Sequence, residues 1–149
     1  MTSDSTTQPA PRFALVQGTF EIEGRDSVVL DLSTEEARKQ AAATTITLKE
    51  GANYRVKLTF RVSGGTVSGV LYTNQTYRKG LRVQKDRQML GSFGPQDQPR
   101  EVSIPRHDWE EAPSGVLARG VYTAKGTFVD DDATELGDWE WAFEIKSDW

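Results

Sequence analysis

Few side chains in this sequence can do covalent chemistry. Its single histidine, His107, sits in the polar run Pro105-Arg106-His107-Asp108, and there is no cysteine. A zinc site needs several such ligands at set spacings, so none is expected. No serine stands in a nucleophile-elbow pattern, and no Gly-rich loop ends in Lys-Ser or Lys-Thr to cradle phosphate. Asp130, Asp131 and Asp132, with Glu135, are oxygen-rich, but the alternating ligand spacing of an EF-hand is missing. The run reads as a solvated hairpin tip or an acidic patch facing a partner. Glu110-Glu111 is the remaining carboxylate pair, and acid–base work would require a cleft around it. The expectation is a protein that is not an enzyme and needs no cofactor or metal.

The elements that must carry these residues are strands. Tyr54, Val56, Leu58, Phe60 and Val62 alternate with Arg55, Lys57, Thr59 and Arg61, the period-two pattern of a half-buried strand. Gly64-Gly65 follows, then a Val/Thr/Tyr-rich run over 66–77, which together predict a hairpin. Tyr122, Ala124, Gly126 and Phe128 alternate in the same way. So do Trp139, Trp141, Phe143 and Ile145, with the Asp130–Asp132 loop between the two runs. Apolar runs at 13–20 and 27–32 flank the turn Glu23-Gly24-Arg25-Asp26. Ser33 is placed as an N-cap, with Glu36 in the capping-box position, for a short Ala-rich surface helix. About eight short strands with turns between them predict an all-β, immunoglobulin-like sandwich. Residues 1–11 read as a flexible tail and 12–149 as one domain.

A hydrophobic content of 36% and a charged content of 27% fit a globular chain. No run approaches the roughly 20 apolar residues that cross a bilayer. The Ser/Thr/Pro-rich start lacks the apolar run of a signal peptide. A net charge of −4 argues against a nucleic-acid partner. A cytoplasmic monomer is expected. The aromatics Tyr54, Phe60, Tyr122, Phe128, Trp139, Trp141 and Phe143 fall on inward positions. Periodicity alone assigns them to a filled core and cannot distinguish that from a cavity wall.

Several segments, in order, resemble the Rho GDP-dissociation inhibitor family. They are Leu48-Lys49-Glu50-Gly51, the run from Tyr54 to Val62, Val67-Ser68-Gly69 and Gln75-Thr76-Tyr77-Arg78-Lys79-Gly80. Further on come the run from Met89 to Pro95, Glu110-Glu111-Ala112-Pro113-Ser114-Gly115, Leu117-Ala118-Arg119-Gly120, Phe128-Val129-Asp130-Asp131-Asp132 and Trp139-Glu140-Trp141. The resemblance implies a sandwich whose sheets part to admit the geranylgeranyl chain of a Rho-family GTPase. It also implies that the protein takes the GTPase off membranes, meeting them only transiently, and holds it soluble and GDP-bound. By resemblance and strand parity, Leu58, Phe60, Val83, Leu90, Val102, Tyr122, Ala124 and Trp141 line the slot. Ala124 stands where the family usually carries a larger aliphatic residue. Glu110, Glu111, Asp130, Asp131 and Asp132 match the acids that receive the basic stretch before the prenylated cysteine. The basic cluster Arg78, Lys79, Arg82, Lys85 and Arg87 reads as solvated surface and edge protection.

Two departures bear on these expectations. The family's long regulatory arm, which grips the GTPase switch regions, has only about ten residues in its place here, so the chain is either a naturally arm-less form or a trimmed piece of a longer one; an arm-less sandwich is expected to inhibit GDP release poorly and to extract more weakly. The segment Pro99 to Trp109 is longer and more polar than the family pattern. Two other readings stay open: an arm-less, more general prenyl-binding chaperone, and a closed sandwich acting as a protein-interaction module.

Overall fold

Period-two alternation lays down ten strands and one helix in a computed structural model that describes residues 13–149. The tail expected over residues 1–11 lies outside the described residues. The strands are β1 (Phe13–Ile22), β2 (Val28–Asp31), β3 (Thr45–Lys49), β4 (Asn53–Val62), β5 (Val67–Arg78), β6 (Leu81–Phe93), β7 (Arg100–Ile104), β8 (Glu110–Glu111), β9 (Gly120–Val129) and β10 (Glu135–Lys146). One sheet runs β2-β1-β4-β7, with β8 also pairing β4; the other runs β3-β10-β9-β5-β6. All pairings are antiparallel except β3 with β10. The immunoglobulin-like sandwich expected from the sequence is the observed architecture.

The β1–β2 and β9–β10 hairpins form as the turn residues predicted. The hairpin expected between Tyr54–Val62 and residues 66–77 does not. β4 pairs β1, β7 and β8, whereas β5 pairs β6 and β9 in the opposite sheet. The Gly64 turn, at φ +79°, therefore carries the chain across the sandwich. That crossing lets the apolar sides of β4 and β5 bury against each other instead of sharing one face of one sheet.

The helix α1 spans Glu35–Ala42, with Ala41 as its buried residue. Its N-cap is Thr34 rather than Ser33: Thr34 Oγ1 accepts from the Ala37 amide at 3.0 Å. Ser33 is engaged with the Asp31 carboxylate instead.

One half of the interior is filled with rings. Phe13 stacks on Phe60 at 4.7 Å and meets Phe128 at 5.0 Å, and Phe93 meets Phe60 edge-on at 5.2 Å. β6 is tied to β7 and to the segment after it. Gln88 Nε2 donates to Ser103 O, and Arg106 Nη2 donates to the carbonyls of Met89 and Leu90.

Candidate functional site

In the other half the sheets part. The cavity between them has a volume of about 670 Å³, within the usual range for small-ligand sites. Its apolar wall is made by Phe20 of β1, Leu48 of β3, Val56 of β4, Ile104 of β7, and Trp141 and Phe143 of β10. Tyr122 of β9 stacks on Phe143 at 5.0 Å, and Phe20 meets the Trp141 ring edge-on at 5.8 Å. The facing wall is β5, whose inward positions read Tyr72, Asn74, Thr76 and Arg78. Asn74 Oδ1 is buried without a hydrogen-bond partner in the protein, so one polar atom faces the apolar wall.

On five strands the lining residue farthest from the mouth can be named. Val56, Tyr72, Gln88, Ile104 and Trp141 line it, while the next inward residues, Leu58, Val70, Leu90, Val102 and Trp139, do not. The slot positions expected from parity and resemblance fall on both sides of this boundary. Tyr122 and Trp141 line the cavity. Val83 lines it at the rim, 55% exposed. Leu58, Phe60, Leu90, Val102 and Ala124 are not among its lining residues. Leu58, Leu90 and Val102 face inward one step too deep, Phe60 fills the ring cluster, and Ala124 is buried between Thr76 and Trp141 on the neighbouring strands.

The mouth is closed on one side by a strap, residues 113–119, which contains a 3-10 turn, Val116–Ala118. Pro113, Ser114, Leu117 and Ala118 line the cavity, and Leu117 is 90% exposed. Arg78 holds the strap. Its guanidinium donates to the carbonyls of Leu117 and Arg119 and to Tyr122 Oη at 3.1 Å, and it lies over the Tyr122 ring. Tyr122 Oη in turn donates to Ala118 O at 2.6 Å. At the strap's other side, the Glu50 carboxylate accepts from Arg119 Nε and the Gly115 amide. These bonds, Arg119's above all, hold the Glu50 carboxyl below its ordinary pKa. Arg78 is thus an internal latch, unlike the solvated surface charge its sequence context suggested.

Glu110 and Glu111 line the opposite rim with Asp86 of β6. Burial, and then the charge of Asp86, raises the Glu110 pKa. Burial, helped by the same two acids, pushes the Tyr54 phenol up to about 12. The rim is therefore an acidic patch that a cation would relieve. Asp130, Asp131 and Asp132 are not part of it. They sit at the far end of β9, where Asp130 Oδ1 accepts from the amides of Asp132 and Thr134 and caps the hairpin. Eight residues of extended strand separate Asp130 from Tyr122, or about 26 Å. The three carboxylates lie within 4.8 Å of one another on an exposed tip.

Phe20, Leu48, Val56, Tyr72, Asn74, Thr76 and Phe143 line the cavity without having been singled out for it. The available signal was on β5: polar residues at consecutive inward positions are at odds with a filled core.

Comparison with known proteins is consistent with this geometry. Residues 2–148 match the family model described as RHO protein GDP dissociation inhibitor. A Dictyostelium discoideum protein assigned as rho GDP-dissociation inhibitor 1 is 50% identical over 130 residues, 87% of this chain and 66% of that protein. Rho GDP-dissociation inhibitor 1 of Homo sapiens is 46% identical over 122 residues, 80% of this chain and 56% of that one. The Schizosaccharomyces pombe Rho GDP-dissociation inhibitor is 35% identical over 128 residues, 86% of this chain and 61% of that one. The chain thus spans between about half and two thirds of the curated relatives it matches. Among solved structures, a Niemann-Pick type C2 protein from Japanese carpenter ant superposes with a TM-score of 0.56 at 10% identity, covering 93% of this chain and 98% of that one. That likeness concerns the fold alone.

Proposed function

The chain belongs to the Rho GDP-dissociation inhibitor family, and on that premise we propose that it sequesters the geranylgeranyl tail of a Rho-family GTPase between its sheets. In this reading it draws the GTPase off a membrane it meets only transiently, and keeps it soluble, cytoplasmic and GDP-bound. It works as a monomer and as a regulator, with no catalytic turnover. The observation that carries the reading is the cavity itself: an apolar-walled opening at one end of a sandwich whose other end is packed with rings.

The energetics fit a carrier. Burial of one CH₂ is worth about 0.8 kcal/mol, so a twenty-carbon chain gains about 16 kcal/mol on leaving water. A bilayer offers the same gain, so the chain alone gives the protein no advantage. The surplus must come from contacts to the polypeptide that carries the lipid. The acidic rim of Asp86, Glu110 and Glu111 supports such contacts with a basic stretch beside the prenylated cysteine. These charges are exposed enough to act mainly on association and to weaken with salt.

The test is extraction. Vesicles loaded with a geranylgeranylated, GDP-bound Rho-family GTPase are mixed with the protein and sedimented. The expected result is GTPase in the supernatant in proportion to added protein, with the unprenylated GTPase remaining unbound. GTPase that stays wholly with the vesicles at saturating protein would refute the carrier reading.

A further inference from the structure

A strand covered on one side alternates between buried and exposed residues, but the β5–β6 hairpin does not. Gln88 Nε2 donates to Ser103 O of β7 in the facing sheet, and from Arg87 back to the turn at Lys79 every residue is exposed. This stretch, 79–87, holds four cations, Lys79, Arg82, Lys85 and Arg87, and one acid, Asp86, in a chain of net charge −4. The register separates them. Arg82 and Lys85 stand opposite Tyr77 and Gln75 on the outer face, where Arg82 donates to Gln75 Oε1. Asp86 stands opposite Asn74, on the face that holds the cavity. None of the four cations is in an ion pair among the described residues. On the same rung of the outer face as Lys85, the acid Glu140 lies on β10, three strands or about 14 Å away.

Apolar side chains gather at the same tip. Leu81 and Val116 are each 72% exposed, and Val83 and Leu117 are exposed beside them. Leu81 stands opposite Arg78, and Arg78 donates to Leu117 O, so the hairpin tip and the strap meet at one residue. Four of the eight exposed large hydrophobics among the described residues therefore flank the mouth. Val83 and Leu117 line the cavity, but Leu81 and Val116 do not, so the slot leaves their exposure unexplained. Exposed aliphatic side chains set among long-stemmed cations suit the boundary between anionic headgroups and acyl chains. An acidic protein would also match the cations. The mouth they flank takes its cargo out of a bilayer, and that favours the lipid.

We propose that the β5–β6 hairpin tip and the strap form a docking rim that seats on an anionic lipid surface and turns the mouth of the slot toward it. The inference rests on the prenyl-carrier reading and deepens it by naming the surface that meets the membrane. The cations hold the rim against the headgroups, and Leu81 and Val116 enter between them. The acids Asp86, Glu110 and Glu111 line the cavity side of the mouth, where a basic peptide is received instead. A prenyl chain leaving the bilayer then enters the slot without crossing open water.

The experiment sediments the protein alone, without GTPase, with vesicles of phosphatidylcholine or of phosphatidylcholine containing about 30% phosphatidylserine. A cation beside an anionic surface is worth about fivefold in partitioning. The wild type should partition at least tenfold better into the anionic vesicles and lose that preference at 0.5 M salt. Arg82→Gln with Lys85→Gln should reduce partitioning into them at least tenfold, and Leu81→Ser with Val116→Ser at least threefold. Lys39→Gln with Lys57→Gln removes the same charge from α1 and from β4 of the facing sheet, and should change it less than twofold. None of the four rim residues substituted lines the slot, so in a vesicle-free titration both rim variants should bind a geranylgeranylated basic peptide no more weakly than the wild type. Partitioning that ignores phosphatidylserine, or that falls equally in the Lys39/Lys57 variant, would overturn the docking rim, assign it to a protein partner and leave the carrier reading intact. A parallel loss of peptide binding in the rim variants would also overturn it. A wild type that binds the anionic vesicles but not the prenylated peptide would overturn the carrier reading and leave the rim standing.

Discussion

Neutralising the rim acids and neutralising the hairpin acids should have different effects on binding of a prenylated peptide with a basic tail. Glu110→Gln with Glu111→Gln removes two charges from residues that line the mouth. Exposed ion pairs are worth about 0.2–1 kcal/mol each, so the double variant should lose about 0.4–2 kcal/mol. That corresponds to a two- to thirtyfold weaker Kd, expressed mainly in the association rate. Asp130→Asn, Asp131→Asn and Asp132→Asn together remove three charges, but about 26 Å away along β9. The Debye length at 0.15 M salt is about 8 Å, so those charges are screened by more than three such lengths. Their loss should change Kd by less than about 1.5-fold, despite the larger change in net charge. Stopped-flow fluorescence at 0.05, 0.15 and 0.5 M salt checks this. The salt slope should flatten in the glutamate variant and persist in the aspartate variant. Equal losses in both variants at 0.15 M would refute the reasoning, because proximity to the mouth would then be irrelevant.

Three further outcomes follow from single contacts. Tyr72→Phe leaves the buried indole N–H of Trp139 without its acceptor, a loss of about 1–3 kcal/mol, so the urea midpoint should fall with the m-value unchanged. Glu110 has a raised pKa, so the stability linked to its protonated form is present below about pH 4.5 and is lost as pH rises through the raised value. Glu110→Gln should therefore melt above the parent at pH 7, with the gap closing near pH 4; a lower melting point at pH 7 would contradict this. Arg78→Met removes the donor to the carbonyls of Leu117 and Arg119, and charged hydrogen bonds are worth about 1.5–3 kcal/mol. Amide exchange at Ala118 and Arg119 should speed up about tenfold or more, while β1 and β10 remain protected.

Much of the fold was legible because a period of two reports which side of a strand faces inward. It placed Tyr54, Val56, Leu58 and Phe60 on one face of β4, and Tyr122, Ala124 and Phe128 on one face of β9. It also gave the two hairpins whose turns carry Gly or Asp. The assignment of β4 and β5 to opposite sheets was not legible, since a glycine turn permits either a hairpin or a crossing. Depth was not legible for a related reason. Parity puts Leu58, Leu90 and Val102 on the inner face, but only the packing shows that the cavity stops one step before them. Arg78 was misjudged because its neighbours Lys79 and Arg82 are exposed, whereas its own parity matches Tyr72, Asn74 and Thr76. The acids at 110–111 form the short strand β8 ahead of β9 and those at 130–132 follow β9, so the direction of β9 sends them to opposite ends of the sandwich.

The central claim is that the space between the sheets takes a prenyl chain. Its most direct test is a titration with a fluorescent geranylgeranylated peptide bearing a basic tail, with the unprenylated peptide as control. Saturable binding that requires the prenyl group, and that weakens at least tenfold in Trp141→Ala but little in a folded Phe60→Leu variant, is the predicted result. Binding that ignores the prenyl group, or equal losses in the two variants, would contradict it and favour a closed sandwich that recognises protein surface alone.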